Sequence, residues 1–209
     1  MQVIHNGYDP RNFTYSSSHR KQLRDALAID DGSLLIGSVG RYSPAKDHAS
    51  FIRAAAIVGR QIKHAQFLLV GRDLTEDNLE LATLIAATGM PERFFLLGER
   101  SDVAACMSAM DIFCLHSTTE GFPNVLGEAM CIGLPCVSTD VGDARLLLGE
   151  TGMTVSGRTP DDLARTLKDM LDLPAAERQR LGAQARERIL GRYTLRHAVR
   201  KFEALYRST

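Results

Sequence analysis

Two carboxylates pose the first chemical question. Glu120 and Glu128 stand eight residues apart in the stretch His116-Ser-Thr-Thr-Glu120-Gly121-Phe122-Pro123-Asn124-Val125-Leu126-Gly-Glu128-Ala-Met130. On a single helix the rise would part them by about 12 Å. Carboxylates that act as a pair across one glycosidic bond sit roughly 5–9.5 Å apart, so a paired acid/base role is a poor account of the spacing. Ionised carboxylates accept hydrogen bonds from sugar hydroxyls and repel phosphate. The spacing therefore suits two acids gripping the ends of an elongated polyhydroxy ligand, with its phosphates between them over a helix N-terminus. The plainer alternative is a loop acid near a helix dipole and a solvated helix acid.

Two cations form a second constellation, in Gly40-Arg41-Tyr-Ser-Pro44-Ala-Lys46. They follow an apolar strand pattern and lead into a helix, and Pro44 favours an ordered turn that aims both at the carboxyl edge of a sheet. A guanidinium fork beside an ammonium point charge suits a pyrophosphate; the alternative is two solvated loop cations. No histidine spacing suggests a metal, and His116 reads as a packed or hydrogen-bonded ring. Cys106, Cys114, Cys131 and Cys136 lie inside apolar patterns without CxxC spacing, which reads as buried thiols in a reducing cytoplasm.

The elements that must position these groups alternate along the chain. Apolar runs at 34–39, 66–71, 94–97, 111–115, 136–139 and 151–155 read as strands, and 3–7 as a short strand ending in the Asn6-Gly7 turn. Helices are expected at 16–30, with Leu23, Ala26 and Leu27 on one face, and at about 46–58, 74–88 and 102–110. The motif helix has Pro123 at its first position. Three more helices close the chain, over 160–173, 175–191 and 195–206. Near-continuous apolar strands between helices predict an α/β, Rossmann-like, doubly wound parallel sheet of about six strands. Helices would cover both of its faces, with extra helices at the C-terminus.

At 209 residues the chain is long enough for one sizeable domain. Its 25 Lys plus Arg balance 25 Asp plus Glu, which argues against a nucleic-acid partner. No apolar stretch approaches a membrane span and no secretory leader is read at the start.

Glu120-Gly-Phe-Pro-Asn-Val125, followed by Glu128-Ala-Met130 and Gly133-Leu-Pro135, closely resembles the glutamate–seven residues–glutamate motif of the family 4 glycosyltransferases. These are two-domain, GT-B enzymes. Gly40-Arg41 through Lys46 resembles the phosphate-binding element of the same family. Val3-Ile-His-Asn-Gly-Tyr-Asp9 resembles the phrase at which such chains pass into their second, donor-binding domain. The resemblance runs from about Val3 to the end and implies the C-terminal half of a GT-B enzyme. Residues 1–15 would be an interdomain lead-in, and 194–209 a terminal helix crossing to an acceptor-binding N-terminal domain absent from this chain. Phe202, Leu205 and Tyr206 would then show an apolar face.

By that resemblance the reaction is retaining transfer from a nucleotide-diphospho-sugar to an acceptor, with no metal and no cofactor. Arg41 and Lys46 would hold the diphosphate with Gly40. Glu120, Gly121, Phe122, Pro123 and Asn124 would hold the donor hexose, beside Val125 and Leu126. Glu128 would accept from the ribose hydroxyls, and Gly98 to Arg100 would line the nucleobase pocket. The alternative for Arg100 is a surface pair with Asp102. Asp143 departs from the family's Gly-Gly after Val141. Cytoplasmic location, with peripheral membrane contact through the other half, is the implied setting. The rival reading is a non-catalytic nucleotide-sugar-binding module. A dinucleotide-dependent dehydrogenase is disfavoured because Gly37-Ser-Val-Gly40 lacks the G-x-G-x-x-G spacing, and no P-loop string occurs.

Overall fold

Six runs become six parallel strands, the central four largely buried and the two at the edges only partly so. The computed structural model describes residues 3–207; the first two residues of the expected lead-in and the last two of the expected terminal segment lie outside them. The strands are β1 (Leu34–Val39), β2 (Ala65–Val70), β3 (Phe94–Leu96), β4 (Ile112–Leu115), β5 (Cys136–Thr139) and β6 (Met153–Val155). They pair in the order β3-β2-β1-β4-β5-β6, all parallel. The winding direction reverses between β1 and β4, where open sheets leave a crevice at their carboxyl ends.

The helices are α1 (Ser17–Ala26), α2 (His48–Gln61), α3 (Leu79–Ala86), α4 (Val103–Ala109), α5 (Asn124–Ile132), α6 (Ala144–Leu148), α7 (Pro160–Asp172), α8 (Ala175–Arg192) and α9 (Leu195–Arg207). Alternate strand residues feed two cores. Leu35, Leu68, Phe113 and Leu115 pack with Met107, Leu126, Met130 and Ile189, from α4, α5 and α8. Ile36, Phe67, Leu69 and Cys114 pack with Phe51, Leu81 and Leu167, from α2, α3 and α7. The doubly wound reading is correct, and the four cysteines are free and buried.

Several expectations shift. Residues 3–7 form no strand; the β-pairing of the lead-in is the isolated parallel bridge of Tyr8 with Thr194. One bridge pair does not make a ladder, and the other contacts of the lead-in run through side chains. The helix expected from residue 46 is a 3-10 turn, Pro44–Lys46, followed by α2. Asp47 separates the two at φ 50, and its side chain caps Ser50 N–H. The helix expected from residue 74 starts only at Leu79, after Asn78 caps it. Pro123 is the N-cap of α5 rather than its first residue.

The largest surprise is α1, whose buried residue is Arg24 while Ala26 is exposed. Arg24 and Arg20 converge on Asp111, just before β4. Arg20 Nη2 donates to Oδ1 at 2.7 Å, and Oδ2 accepts from Arg24 Nη1 at 3.2 Å and from Leu35 N–H at 2.7 Å. Arg24 also donates to the Ala109, Asp30 and Ser33 carbonyls. Leu23 and Leu27 of the expected apolar face pack against the core, Ala26 does not, and a closed ionic cluster adds the rest of the docking of α1.

Among the described residues no helix is long and apolar enough to cross a membrane. On α9 only Ala198 is buried, and Phe202, Leu205 and Tyr206 are 46%, 38% and 77% exposed, as the sequence implied.

Candidate functional site

Two loops meet at the carboxyl edge of β1 and β4, and polar contacts lock them together. The first runs from Gly40 through the 3-10 turn to Asp47; the second runs from His116 to Pro123. Thr118 N–H donates to the Ala45 carbonyl at 2.9 Å. The His116 ring bridges Ser38 Oγ, through Nε2 at 2.7 Å, and the Lys46 carbonyl, through Nδ1 at 2.5 Å. Lys46 Nζ lies 2.5 Å from Glu120 Oε1, which also accepts from Ser117 Oγ at 2.7 Å. Thr139 Oγ1, at the end of β5, donates to the Ser117 carbonyl at 2.8 Å.

A third loop braces the second from outside. Asp143 N–H donates to the Gly121 carbonyl at 2.9 Å. Gly142 sits at φ +50, and a Cβ there would come within 2.2 Å of Gly121 O and 2.4 Å of Glu120 O, so only glycine fits.

The helix that follows offers donors. The backbone N–H groups of Gly121, Phe122, Asn124 and Val125 have no partner among the described residues, whereas Leu126 N–H turns back to the Pro123 carbonyl at 3.1 Å. Free N–H groups at a helix N-terminus favour an anion. Arg41 is exposed and makes no hydrogen bond or ion pair among the described residues. Glu128 also lacks both, and burial pushes its carboxyl up from the usual range. Leu126, expected at the ligand, is a core residue with no exposure, because the phase of α5 turns it inward. Val125 is half-buried and packs against the same core.

The loop tip is held by the lead-in and by the turn after α8. The Phe122 ring centroid lies 5.1 Å from that of His5, 6.3 Å from Tyr8 and 6.2 Å from Tyr193. Asn6 Nδ2 donates to Asn124 Oδ1 at 3.0 Å, and His5 Nε2 lies 3.5 Å from Asp143 Oδ2. Tyr8 lies flat on Gly127, where a Cβ would come within 2.1 Å of its ring. Its backbone pairs with Tyr193 O and Leu195 N–H, both at 2.8 Å.

Two clefts open on this edge. One, of about 330 Å³, lies between the ends of β1, β2 and β3 and is lined by Gly40, Arg41, Gly71, Glu99 and Arg100. Gly98 is buried at φ +63 with its N–H on Leu74 O and its carbonyl on Gly71 N–H, so it shapes the turn. Arg100 is held by Asp102 through contacts of 2.8 and 2.7 Å, the surface pair offered as its alternative role. The other cleft, of about 410 Å³, lies beyond Ser117 toward β6 and contains none of the expected ligand residues. Among the described residues no group of three or more His, Cys, Asp or Glu is placed to hold a metal.

A profile of the family described as glycosyl transferases group 1 matches residues 19–188. The chain belongs to this family. The glycosyltransferase domain is 31% identical over 189 residues to the D-inositol 3-phosphate glycosyltransferase of Mycolicibacterium vanbaalenii, covering 82% of this chain and 40% of that protein. It superposes on HepE of Anabaena, solved with UDP, with a TM-score of 0.88 at 26% identity, covering 100% of this chain and 57% of the other. It also matches the fold of the C-terminal domain of the group 1 protein LpcC from Francisella tularensis, at 21% identity and TM-score 0.78. There 90% of this chain covers 100% of that one. The chain thus spans 40% of the curated relative's length.

Sequence reasoning missed the parts of this glycosyltransferase domain that join one loop to another. Ser38, Ser117, Thr118 and Thr139 carry little pattern of their own. The one available signal was Ser38, a hydroxyl in the middle of the otherwise apolar run 34–39.

Proposed function

We propose that this domain is the donor-binding half of a retaining glycosyltransferase that takes its sugar from a nucleotide-diphospho-sugar. Residues 3–15 and the helix α9 would join it to an acceptor-binding N-terminal half. The observation that carries the reading is the Lys46–Glu120 contact at the switch point, beside the unpartnered N–H groups of α5 and the unpaired Arg41.

A lysine ammonium has three donors. Lys46 can therefore keep Glu120 and still donate to a diphosphate lying over the α5 N-terminus. Arg41 adds a guanidinium fork from the other side. Positive groups fixed before reaction stabilise the charge that builds on a departing diphosphate, and in this reading the cations do so without a metal ion. Glu120, braced by Ser117, turns its second oxygen to a sugar hydroxyl, with Gly121, Phe122, Pro123 and Asn124 beside it. Glu128 accepts from ribose hydroxyls, which compensates the burial that now disfavours its charge. The cleft at Gly40, Arg41, Glu99 and Arg100 receives the nucleobase. The UDP in the structure of HepE supports the nucleotide class. Transfer needs an acceptor, whose site this reading assigns to the other half, so the domain alone is expected to bind nucleotide and to transfer sugar poorly.

Calorimetric titration of the chain with UDP, GDP and ADP, beside Arg41→Ala and Glu128→Ala, tests the reading. Selective binding of one nucleotide, weakened by both substitutions, is the expected result. Failure of the folded chain to bind any of them would overturn it.

A further inference from the structure

A buried imidazole ties three pieces of the site together. His116 is 4% exposed, lies face to face with Phe51 at 4.7 Å and meets the edge of His48 at 5.0 Å, so its ring cannot turn freely. One nitrogen contacts the backbone carbonyl of Lys46 and the other the hydroxyl of Ser38. A carbonyl oxygen only accepts, so Nδ1 must carry the hydrogen. Nε2 in the neutral ring then keeps its lone pair and accepts from Ser38 Oγ–H. The contacts therefore determine the tautomer. Burial, with His48 and Lys46 nearby, pushes the His116 pKa down to about 3, which keeps the ring neutral near pH 7.

We propose that His116 is the positioning residue for Lys46, its Nδ1–H fixing the carbonyl of the turn from which the ammonium reaches Glu120. This rests on the reading of Lys46 as a contact to the donor phosphates. The geometry gives the carbonyl its leverage. Lys46 ends the 3-10 turn, and Asp47 reverses the chain at φ 50 immediately afterwards. The N–H of the same peptide donates to the Pro44 carbonyl at 3.2 Å, which closes the turn on itself, whereas the contact from His116 ties its carbonyl to the sheet. Ser38, on β1, anchors the far side of the ring to the sheet, so the turn is referenced to β1 and β4 together. If His116 merely filled the core, a phenylalanine stacked on Phe51 would do as well.

The two nitrogens can be mimicked separately. Asparagine places an amide N–H where Nδ1 stands, and glutamine reaches the Nε2 position instead. Calorimetric UDP titration of His116→Asn, His116→Gln and His116→Phe, each also combined with Lys46→Met, separates the roles. The asparagine variant is expected to bind within about threefold of the unsubstituted chain, and the glutamine and phenylalanine variants about tenfold more weakly, the scale of one lost buried hydrogen bond. In the Lys46→Met background the residue at 116 should make no further difference, because His116 acts through that side chain. Asparagine as weak as phenylalanine, or an undiminished His116 effect without the lysine, would overturn the inference alone. Absence of UDP, GDP and ADP binding by the unsubstituted chain would overturn the donor reading and this inference with it. Should a variant fail to fold, imidazole nitrogen NMR of the unsubstituted chain decides: a protonated Nδ1 with a bare Nε2 supports the inference, and the reverse tautomer sinks it.

Discussion

Strand β4 carries an ionic cluster at each end, and the two are built for opposite ends. Before the strand, Asp111 meets Arg20, Arg24 and the Leu35 N–H, so both its oxygens are engaged. Arg24 there is 4% exposed and has carbonyl acceptors besides. After the strand, Glu120 has one lysine and one hydroxyl on the same oxygen, leaving the other oxygen free, and the pair stays 14% and 21% exposed. Buried charge is tolerable when every partner is present. The closed cluster docks α1; the open one leaves a carboxylate oxygen and helix N–H groups without partners among the described residues, which is the capacity the proposed donor would use. Being charged and buried does not by itself mark a site. Unused hydrogen-bonding capacity does.

Changing each end in turn tests that contrast. The greatest loss of stability is expected from Asp111→Ala, which strands a buried guanidinium at a cost of about 3 kcal/mol. For a chain of this size that lowers Tm by roughly 10 °C; nucleotide affinity below the transition should hardly change, and a matching loss of affinity would erase the distinction. Acid should attack the open end next, because His48 stands there with both ring nitrogens buried and unpartnered. Burial, and secondarily Lys46, lower its pKa from 6.5 to about 4. The unfolded chain therefore takes up this proton first, so stability is lost as pH falls from 6.5 toward 4. Melting curves of His48→Phe across that window should lose on the order of 2 kcal/mol less than the unsubstituted chain.

Lys46→Met comes third for stability, at about 1 kcal/mol, since Glu120 keeps Ser117 and some water. Its effect on UDP affinity should be about tenfold or more, the reverse of the Asp111 pattern. The smallest effect is expected at Glu128. Its folded-state pKa lies above the ordinary value, so its charge opposes folding. The penalty is absent at low pH, develops as pH rises from about 4.5 through the raised pKa, and persists above it. Glu128→Gln should therefore raise Tm slightly at pH 7, leave it unchanged near pH 3, and weaken nucleotide binding; a lower Tm at pH 7 would contradict this account.

The sheet was legible because parallel strands buried on both faces keep apolar residues in unbroken runs, and hydrophobicity alone locates them. Glu120 and Lys46 were singled out through the motifs that carry the family resemblance, and the fold brings these two into contact although 74 residues part them. Other partners remote in sequence were not legible. Asp111 meets its arginines across 91 and 87 residues, and His116 meets Lys46 and Ser38 across 70 and 78. No local pattern encodes such pairs. Arg24 passed unnoticed because helical periodicity ranks residues by hydropathy, and a fully satisfied guanidinium can take the buried position. Leu126 was misplaced for a different reason: the resemblance was carried over the whole motif, while α5 turns this side chain into the core.

The pairing of Tyr8 with Tyr193 and Leu195 brings the incoming and outgoing chain together at one place. In the two-domain enzyme proposed above, both crossings to the other half start there, and that place becomes the fulcrum of any opening or closing swing. Points near a fulcrum travel least. Phe122 rests on Tyr8 and so lies almost on the axis. The cleft that the proposal gives to the nucleobase, at β3, lies three strand spacings from β4, roughly 14 Å along the lever arm. A swing would carry the other half a long way across the base end of the donor and only a short way across its sugar, so the reacting end would stay in register while the base end is covered and released.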